Sequence, residues 1–484
     1  MQKLLDQFLD LIPTSYAAYR GVVADALSFY WQALPEHRRA AMLERQRALG
    51  RESTAAERLF AFFIESPILH KFGQVLGRDT RLDRSLRSVL QRLEVLPSRR
   101  GAEEVRSIVQ PVESQCVDHG VSISYTILAE ASVAVVVPVT WMNGEGRFPR
   151  GVLKILKPNV ADRIAEEFAI WKALSGVVTD SCAAAGLPAV DFAEVFERAL
   201  ALIEGDLDFS REYQNLTLAG RIYAPYTGVN VPAVSDICLP EALLMERLVG
   251  RHVGDAATIE SCADIVSPMM TARRMVKSLL ATPILYEGER TIIHGDPHGG
   301  NILLDGRGRL GLIDWSMAAV LDRADRAAAV RLFFSALLHD VAAVTADLAF
   351  MCARREGHEG VNELALQRAV EKHLCRHKAD MSAPIHWLMT FMDAIVQEGV
   401  VFRSRWLVLR KAYLTCRGLL EEICPTFRSD WFLGTILGEE LTREWPARCM
   451  GGPWWRSPRT HLSNIELANF SARLPWMAYS AAFT

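Results

Sequence analysis

The chain has 484 residues, 50% of them hydrophobic, and a formal net charge of -3. This length exceeds one small domain, so two or three packed units with a sizeable core are expected. A charge this close to zero supplies no basic excess for a nucleic-acid partner, and none is predicted.

The chain opens on MQKLLDQFLDLIPTS, which reads as an acidic amphipathic helix rather than a signal peptide with a basic start. Peripheral contact with a membrane through this helix is compatible with the reading. Val133 to Val139 is too short to cross a bilayer, and the apolar run after Ala327 is interrupted by Arg331 and Asp340, so no transmembrane segment is predicted. The nine cysteines, among them Cys116, Cys182, Cys238 and Cys262, form no repeated close pair. Without an export signal this argues for reduced thiols and a cytoplasmic protein.

Residues 1 to about 120 read mostly as helix. The basic run Arg38 to Arg47, interspersed with Glu44, reads as a solvated helix face. Leu59, Phe60, Phe62 and Phe63 give an apolar face before Pro67, and Arg84 to Leu96 is a second periodic segment stopped by Pro97. Between them Lys71-Phe72-Gly73-Gln74 reads as a short polar patch between helical segments, with no packing reason.

The pattern then changes to strands. Ile123 to Leu128 and Val133 to Val139 are strand-like, joined by Ala129-Glu130-Ala131-Ser132, and Gly151 to Leu156 is a third strand ended by Pro158. Lys154 lies inside that strand. A buried ammonium is costly without a partner, so a carboxylate is expected beside it: Glu212 first, then Glu166 or Glu167. The plainer alternative is an edge-strand lysine reaching out to water. Helices are predicted from Arg163 to Leu174 and from Phe209 to Tyr223, the second with Asp206 and Asp208 at its entrance. Ala242 to Leu248 reads as a strand running into Gly250 to Gly254.

The densest chemistry lies in IIHGDPHGGNILLDGRGRLGLIDWS, Ile292 to Ser316. Asp296 and Asn301 fall in a polar turn, Ile302 to Leu304 is apolar, and Asp305 to Gly308 has the residues of a hairpin turn. Leu310 to Ile313 then delivers Asp314. Asn301 and Asp314 can face one metal from neighbouring loop ends, with Asp296 beside an acceptor. Mg²⁺ wants hard oxygen ligands and keeps phosphates and waters in its shell, and phosphoryl transfer needs that clamp plus one positioned carboxylate. An ordinary hairpin with scattered polar residues is the bland alternative. No Cys stands near His294 and His298, so zinc ligation is disfavoured, and His294 is expected to donate to backbone carbonyls around the loop. From about residue 345 the chain is again helical, and the end with Pro453, Trp454, Trp455 and Pro458 reads as irregular.

Together these motifs resemble the UbiB/AarF atypical kinases, also called the ABC1 or ADCK family, over roughly Ser66 to Gly357. Lys71-Phe72-Gly73-Gln74 is similar to the family's KxGQ motif, and Ala129 to Ala134 to its alanine-rich loop. Lys154 is similar to the nucleotide-binding lysine. Asp206-Leu207-Asp208, followed by Glu212, resembles the ExD segment and the helix after it, with Asp206 standing where the family has Glu. His294 to Asn301 resembles the catalytic loop, and Asp314 the metal-binding aspartate. Asp314-Trp315-Ser316 also resembles the ending found in aminoglycoside and choline kinase-like phosphotransferases, which act on small-molecule hydroxyls.

The resemblance implies an α+β, bilobal protein-kinase-like fold with added N-terminal and C-terminal helices. The expected divisions are 1–120 for the helical extension, 121–249 for the N-lobe, 250–345 for the catalytic part of the C-lobe, and 346–484 for its helical remainder. It implies ATP and Mg²⁺ as cofactors, with Asn301 and Asp314 on the metal. Asp296, Lys154, Asn301 and Lys71 are the catalytic candidates. Ala131, Ser132, Val133, Lys154, Glu212, Gln74, Asp206 and Asp208 are assigned to the nucleotide site, with Met245, Glu246 and Arg247 at the adenine. The family's N-terminal helices fold over the cleft, which favours a small-molecule or lipid-like acceptor over a protein one and leaves room for a biosynthetic protein partner. Two alternatives remain open: an ATPase supporting isoprenoid-quinone biosynthesis, and a nucleotide-binding scaffold without phosphotransfer.

Overall fold

The computed structural model describes residues 2–50, 52–77, 82–94, 101–131, 133–141, 150–187, 192–193, 196–197, 200, 205, 207–237, 241–262, 265–352, 363–376, 383–398 and 400–483. They divide into two compact units, Met1–Tyr213 with Val234–Arg247, and Gln214–Ala233 with Leu248–Thr484. The strands are β1 (Val121–Ile123), β2 (Ala129–Glu130), β3 (Ala134–Trp141), β4 (Gly151–Leu156), β5 (Val229–Asn230), β6 (Ala242–Glu246), β7 (Arg251–His252), β8 (Arg290–Ile293), β9 (Ile302–Leu304), β10 (Leu310–Leu312) and β11 (Ala319–Asp322).

The first unit is built on the antiparallel sheet β1-β3-β4-β6, with β2 pairing β3. Side chains alternate faces along a strand, so Val135, Val137, Val139 and Trp141 all turn to one core. There they meet Leu153, Ile155 and Leu244, and Val105, Ile108, Val109 and Val112 of the Ala102–Asp118 helix. The sequence predicts one strand over Ile123 to Leu128, and the structure corrects this. The chain pairs with β3 twice, Ile123 opposite Val139 and Ala129 opposite Val136, and residues 124–128 loop out between the two pairings. Pro138 accounts for the break: its carbonyl accepts from Ser124 N–H at 2.9 Å, but it has no N–H to return. The helix after β4 runs over Val160–Ala184, longer than the predicted Arg163 to Leu174.

Helices carry the rest of this unit. Leu5 and Phe8 of the first helix are buried, Phe8 against Phe62 at 5.6 Å between ring centroids, so its apolar face is occupied within the fold. The Arg38 to Arg47 run is not uniformly solvated. Arg38, Met42 and Gln46 recur every four residues on the buried face of the Glu36–Ala48 helix. Arg38 donates to Glu167 at 2.5 Å and to Glu166 at 3.3 Å. The polar patch Lys71 to Gln74 is also corrected: it lies inside the helix Pro67–Leu76. Pro is well placed to open a helix, and Ser66 and Glu167 serve its first turn, Glu167 accepting from Ser66 Oγ at 2.5 Å and from Ile68 N–H at 3.3 Å. Gly73 is there for space, since a Cβ would lie 2.4 Å from Phe63 and 2.5 Å from Leu93.

The second unit holds the sheet β5-β10-β9-β7, the ribbon β11-β8 and most of the C-terminal helices. After the Ser429–Met450 helix, the Pro- and Trp-rich stretch is irregular but anchored. Glu444 accepts from Thr460 N–H at 3.2 Å, and Arg456 bridges Ser463. A final helix, Asn464–Phe483, follows it. Among the described residues no helix is long and apolar enough to cross a membrane.

Two buried histidines make stability sensitive to acid. His70 Nε2 contacts the Leu93 carbonyl in the first unit, and His461 Nε2 that of Ile284 in the second, both at 2.9 Å. Burial pushes each down from the ordinary 6.5 to about 4. In the unfolded chain the imidazoles take up protons near 6.5, whereas in the folded protein they stay neutral until about 4. Acid therefore favours the unfolded chain across that window, and stability present above it is lost as pH falls. Denaturant titrations are expected to show the midpoint dropping from pH 6.5 towards 4, with a smaller drop in His70→Gln.

Candidate active site

In the first unit the central strand β4 places Lys154 opposite Val136 on one side and Leu243 on the other. Its side chain is on the face opposite Leu153 and Ile155. Glu212, in the first turn of the Phe209–Tyr223 helix, is 1% exposed and takes both bonds from the ammonium, at 2.9 and 2.8 Å. The ring of Phe209 lies 5.8 Å from the same nitrogen. Glu166 and Glu167 serve Arg38 instead. Lys154 is thus an interior lysine with a committed carboxylate, not an edge-strand lysine reaching into water. Removing one member of such a pair leaves the other charge buried and costs about 3–5 kcal/mol.

The remaining first-unit candidates stand as follows. Ala131 N–H donates to the Ala134 carbonyl at 2.9 Å. Val133 is buried, and its carbonyl accepts from Lys157 N–H at 2.9 Å. Lys157 Nζ also pairs with Glu130 at 2.8 Å. Ser132 and Asp206 lie outside the described residues. Asp208 caps the Phe209–Tyr223 helix, accepting from Arg211 N–H at 2.9 Å. Gln74 donates to the Leu93 carbonyl at 2.9 Å, which His70 also contacts, so its amide nitrogen has a structural task. Lys71 sits mid-helix and half-buried, not at a helix end. Met245 is buried and pairs with Val152 and Val234, Glu246 pairs with Gly151, and Arg247 is exposed just beyond the strand.

The second unit holds the turn His294 to Asn301. His294 is buried and its pKa is lowered, chiefly by desolvation. A neutral ring fits its contacts: Nε2 donates to the Ile313 carbonyl at 2.9 Å, and Nδ1 accepts from Asp296 N–H at 3.3 Å. One imidazole thus ties the start of the turn to the strand that leads into Asp314. Asn301 Nδ2 donates to the Asp296 carbonyl at 3.1 Å, closing the turn on itself. His298 Nδ1 accepts from Gly300 N–H at 3.0 Å and steadies the middle.

The hairpin follows as its residues dictate. Asp305 accepts at one oxygen from Arg307 and Arg309 N–H, both at 2.8 Å, and Gly308 takes φ +73°. Leu310, Gly311 and Leu312 then pair with Leu304, Leu303 and Ile302. Ile313 N–H donates to the Asn301 carbonyl at 3.0 Å, so Asn301 and Asp314 occupy adjoining ends of the two strands. Asp314 has φ +59°, a left-handed conformation that Asp tolerates better than most residues. Its neighbours hold it there. Trp315 is fully buried, its indole N–H donates to the Leu312 carbonyl at 3.0 Å, and its own carbonyl accepts from Asn215 at 2.9 Å. Ser316 Oγ donates to Asp314 Oδ1 at 2.9 Å.

This donor set fits Mg²⁺ bound through a nucleotide. The Asn301 amide nitrogen is engaged, which leaves its oxygen as the atom that could ligate a metal, and Asp314 could add a carboxylate from the adjoining strand end. Among the described residues no group of three or more His, Cys, Asp or Glu is placed to hold a metal. An all-protein cage is therefore not what these residues offer. One amide and one carboxylate match a Mg²⁺ that keeps waters and phosphate oxygens in its shell.

Sequence reasoning missed Lys411. It comes from the Ser404–Ile423 helix, and its Nζ lies 3.0 Å from Asp296 Oδ1. The other Asp296 oxygen is 3.9 Å from His298 Nε2. No local signal marks Lys411, because only the tertiary fold brings its helix to the turn.

The family model described as the ABC1 atypical kinase-like domain matches residues 101–348, just over half of the chain. The uncharacterized protein Rv0647c of Mycobacterium tuberculosis is 28% identical over 267 residues, covering 53% of this chain and 51% of that protein. A probable protein kinase UbiB of Pseudomonas fluorescens is 31% identical over 247 residues, covering 49% of this chain and 43% of its own length. The chain thus spans about half the length of the relatives it matches. A solved structure of an Rv3197–erythromycin complex from Mycobacterium tuberculosis is 16% identical, covers 73% of this chain and 86% of that one, and has a TM-score of 0.43.

Proposed function

Because this chain belongs to the ABC1 atypical kinase-like family, and has its α+β kinase-like fold with added helices, we propose that it is an ATP-dependent phosphotransferase acting on a small-molecule hydroxyl. The observation that carries the reading is the closed turn Asp296 to Asn301, hydrogen-bonded to the strand that presents Asp314. When bound, Mg·ATP supplies the γ-phosphoryl group and the neutralising charge of the metal. Lys154, steadied by Glu212, meets the nucleotide phosphates. Asn301 and Asp314 offer their oxygens to the metal. Asp296 orients the acceptor hydroxyl and takes its proton. Backbone groups at Met245 to Arg247 meet the adenine, and Lys71, with Gln74, serves the nucleotide side. The Asp314-Trp315-Ser316 ending favours a small or lipid-like acceptor. A cytoplasmic setting, where buried Cys116, Cys182 and Cys416 stay reduced, completes the reading.

Calorimetry tests it. The full chain is expected to bind one ATP per chain in the presence of Mg²⁺, with binding abolished by a chelator. Lys154→Met should weaken it by about tenfold or more, as expected when a hydrogen bond to a charged group is lost. A folded wild-type protein that ignores Mg·ATP would overturn the reading. ADP formation that rises with an added hydroxyl compound marks transfer, whereas acceptor-independent ADP formation marks an ATPase.

A further inference from the structure

We propose that Lys411 is a catalytic residue that clamps the transferred γ-phosphoryl group beside Asp296, an inference that rests on the phosphotransfer reading above. The turn His294 to Asn301 contains no Lys or Arg. Its positive charge arrives from a helix beyond the matched family segment, which ends at residue 348.

The helix is seated on the turn by construction. Gly295 has no Cβ, and one placed there would lie 1.9 Å from the Met317 carbonyl and 2.9 Å from Val408. Its absence lets the Ser404–Ile423 helix and the Met317 backbone close on the turn. Val408 and Lys411 are three residues apart and share one helix face. One residue further on, Ala412 is fully buried with Ile293 and Leu321, which fixes the rotation of the helix. Lys411 Nζ therefore stands 3.0 Å from Asp296 Oδ1 and 3.5 Å from Met317 Sδ. Its side chain keeps 31% exposure while Asp296 keeps 11%, so the ammonium is anchored without being sealed.

The chemistry needs a cation at this place. Asp296 and a γ-phosphate are both negative, and bringing them to one hydroxyl is repulsive unless a charge offsets them. An ammonium has three donors, enough to hold Asp296 Oδ1 and also meet a γ-phosphate oxygen. In the step, the acceptor oxygen forms a bond to the γ-phosphorus while the bond from that phosphorus to the β,γ-bridging oxygen breaks. ADP leaves with that electron pair, and the hydroxyl proton passes to Asp296. Lys411 stays protonated throughout and moves no proton.

The test compares nucleotides that differ by the γ-phosphate. Affinities for Mg·ADP and for Mg²⁺ with a non-hydrolysable ATP analogue are measured by calorimetry on wild type, Lys411→Met, Lys411→Gln and Lys411→Arg. ADP formation from Mg·ATP is measured alongside. Lys411→Met is expected to weaken the analogue about tenfold and leave ADP within about twofold. Turnover should fall about 100-fold, the scale for losing one charge-stabilising donor. Lys411→Arg should recover most of the analogue affinity. A residue that only seats the helix would shift both nucleotides together or neither, and either result overturns the proposal. If Lys411→Met does not fold, Lys411→Gln carries the same comparison, because it removes the charge while keeping a polar side chain, one atom shorter, at the position. Asp296→Asn is run in parallel. If it turns over normally, the reading of the site itself fails. If it is inactive while Lys411→Met matches wild type, only the role of Lys411 fails.

Discussion

Asp296→Asn is expected to bind Mg·ATP much as the wild type does and to lose about 10²–10⁴-fold in ATP turnover, the usual contribution of a positioned acid or base. The substitution keeps size and shape. The Asp296 backbone carbonyl still accepts from Asn301 Nδ2, and its N–H still donates to His294 Nδ1, so the turn stays in place, and with it the oxygens proposed for the metal. What is lost is chemical: an amide cannot take the acceptor proton, and it offers Lys411 no charge. The Asp296 side chain is 11% exposed, so water replaces neither function well. ADP formation, measured at saturating Mg·ATP as fixed by calorimetry, decides the matter. Wild-type turnover in a folded Asp296→Asn protein sinks the assignment. Loss of nucleotide binding together with turnover would instead mean that Asp296 belongs to the binding apparatus.

The legible parts of this chain were those whose causes are short-range. The hairpin 302–312 could be read because Asp305 and Gly308 carry their own turn chemistry and the flanking residues are apolar. Lys154 could be given a partner because a charge inside an apolar strand demands one, and Glu212 supplies it. The two-stage pairing with β3 escaped notice because it depends on which side of that strand Pro138 turns its missing N–H. The Lys71 to Gln74 segment reads as a polar patch between helical segments because a glycine among polar residues carries little intrinsic helix preference. Its helix is held by tertiary contacts: Glu167 at its start, and the tight fit of Gly73 against Phe63 and Leu93. Arg38 was misread for the same reason, since its partner Glu167 is 129 residues away. The turn His294 to Asn301 announced itself by composition, but Lys411 did not, because a lysine on an amphipathic helix looks alike whether it faces solvent or a carboxylate.

The Asp314 substitutions separate charge from backbone conformation. Asp314 stands at φ +59°, where Asn is as comfortable as Asp and Ala is strained by about 1 kcal/mol or more. Asp314→Asn therefore keeps the turn and removes only the carboxylate charge proposed to meet the metal. Asn keeps one oxygen to accept from Ser316 Oγ, which now donates to Asp314 Oδ1 at 2.9 Å. With its charge gone, Mg²⁺ faces two neutral amides and the nucleotide phosphates. The Mg²⁺ concentration that half-saturates ATP binding should rise by about tenfold or more, and turnover should fall by about 10²–10³-fold, the scale of several kcal/mol of lost metal electrostatics. Asp314→Ala should show the same metal defect with a lower melting temperature, because it adds backbone strain. A Mg²⁺ titration of ATP binding, run on both variants beside thermal melts, reads the two effects apart. If Asp314→Asn binds ATP at the wild-type Mg²⁺ concentration, Asp314 is not a metal ligand. Its left-handed backbone would then serve only to start the buried turn at Trp315.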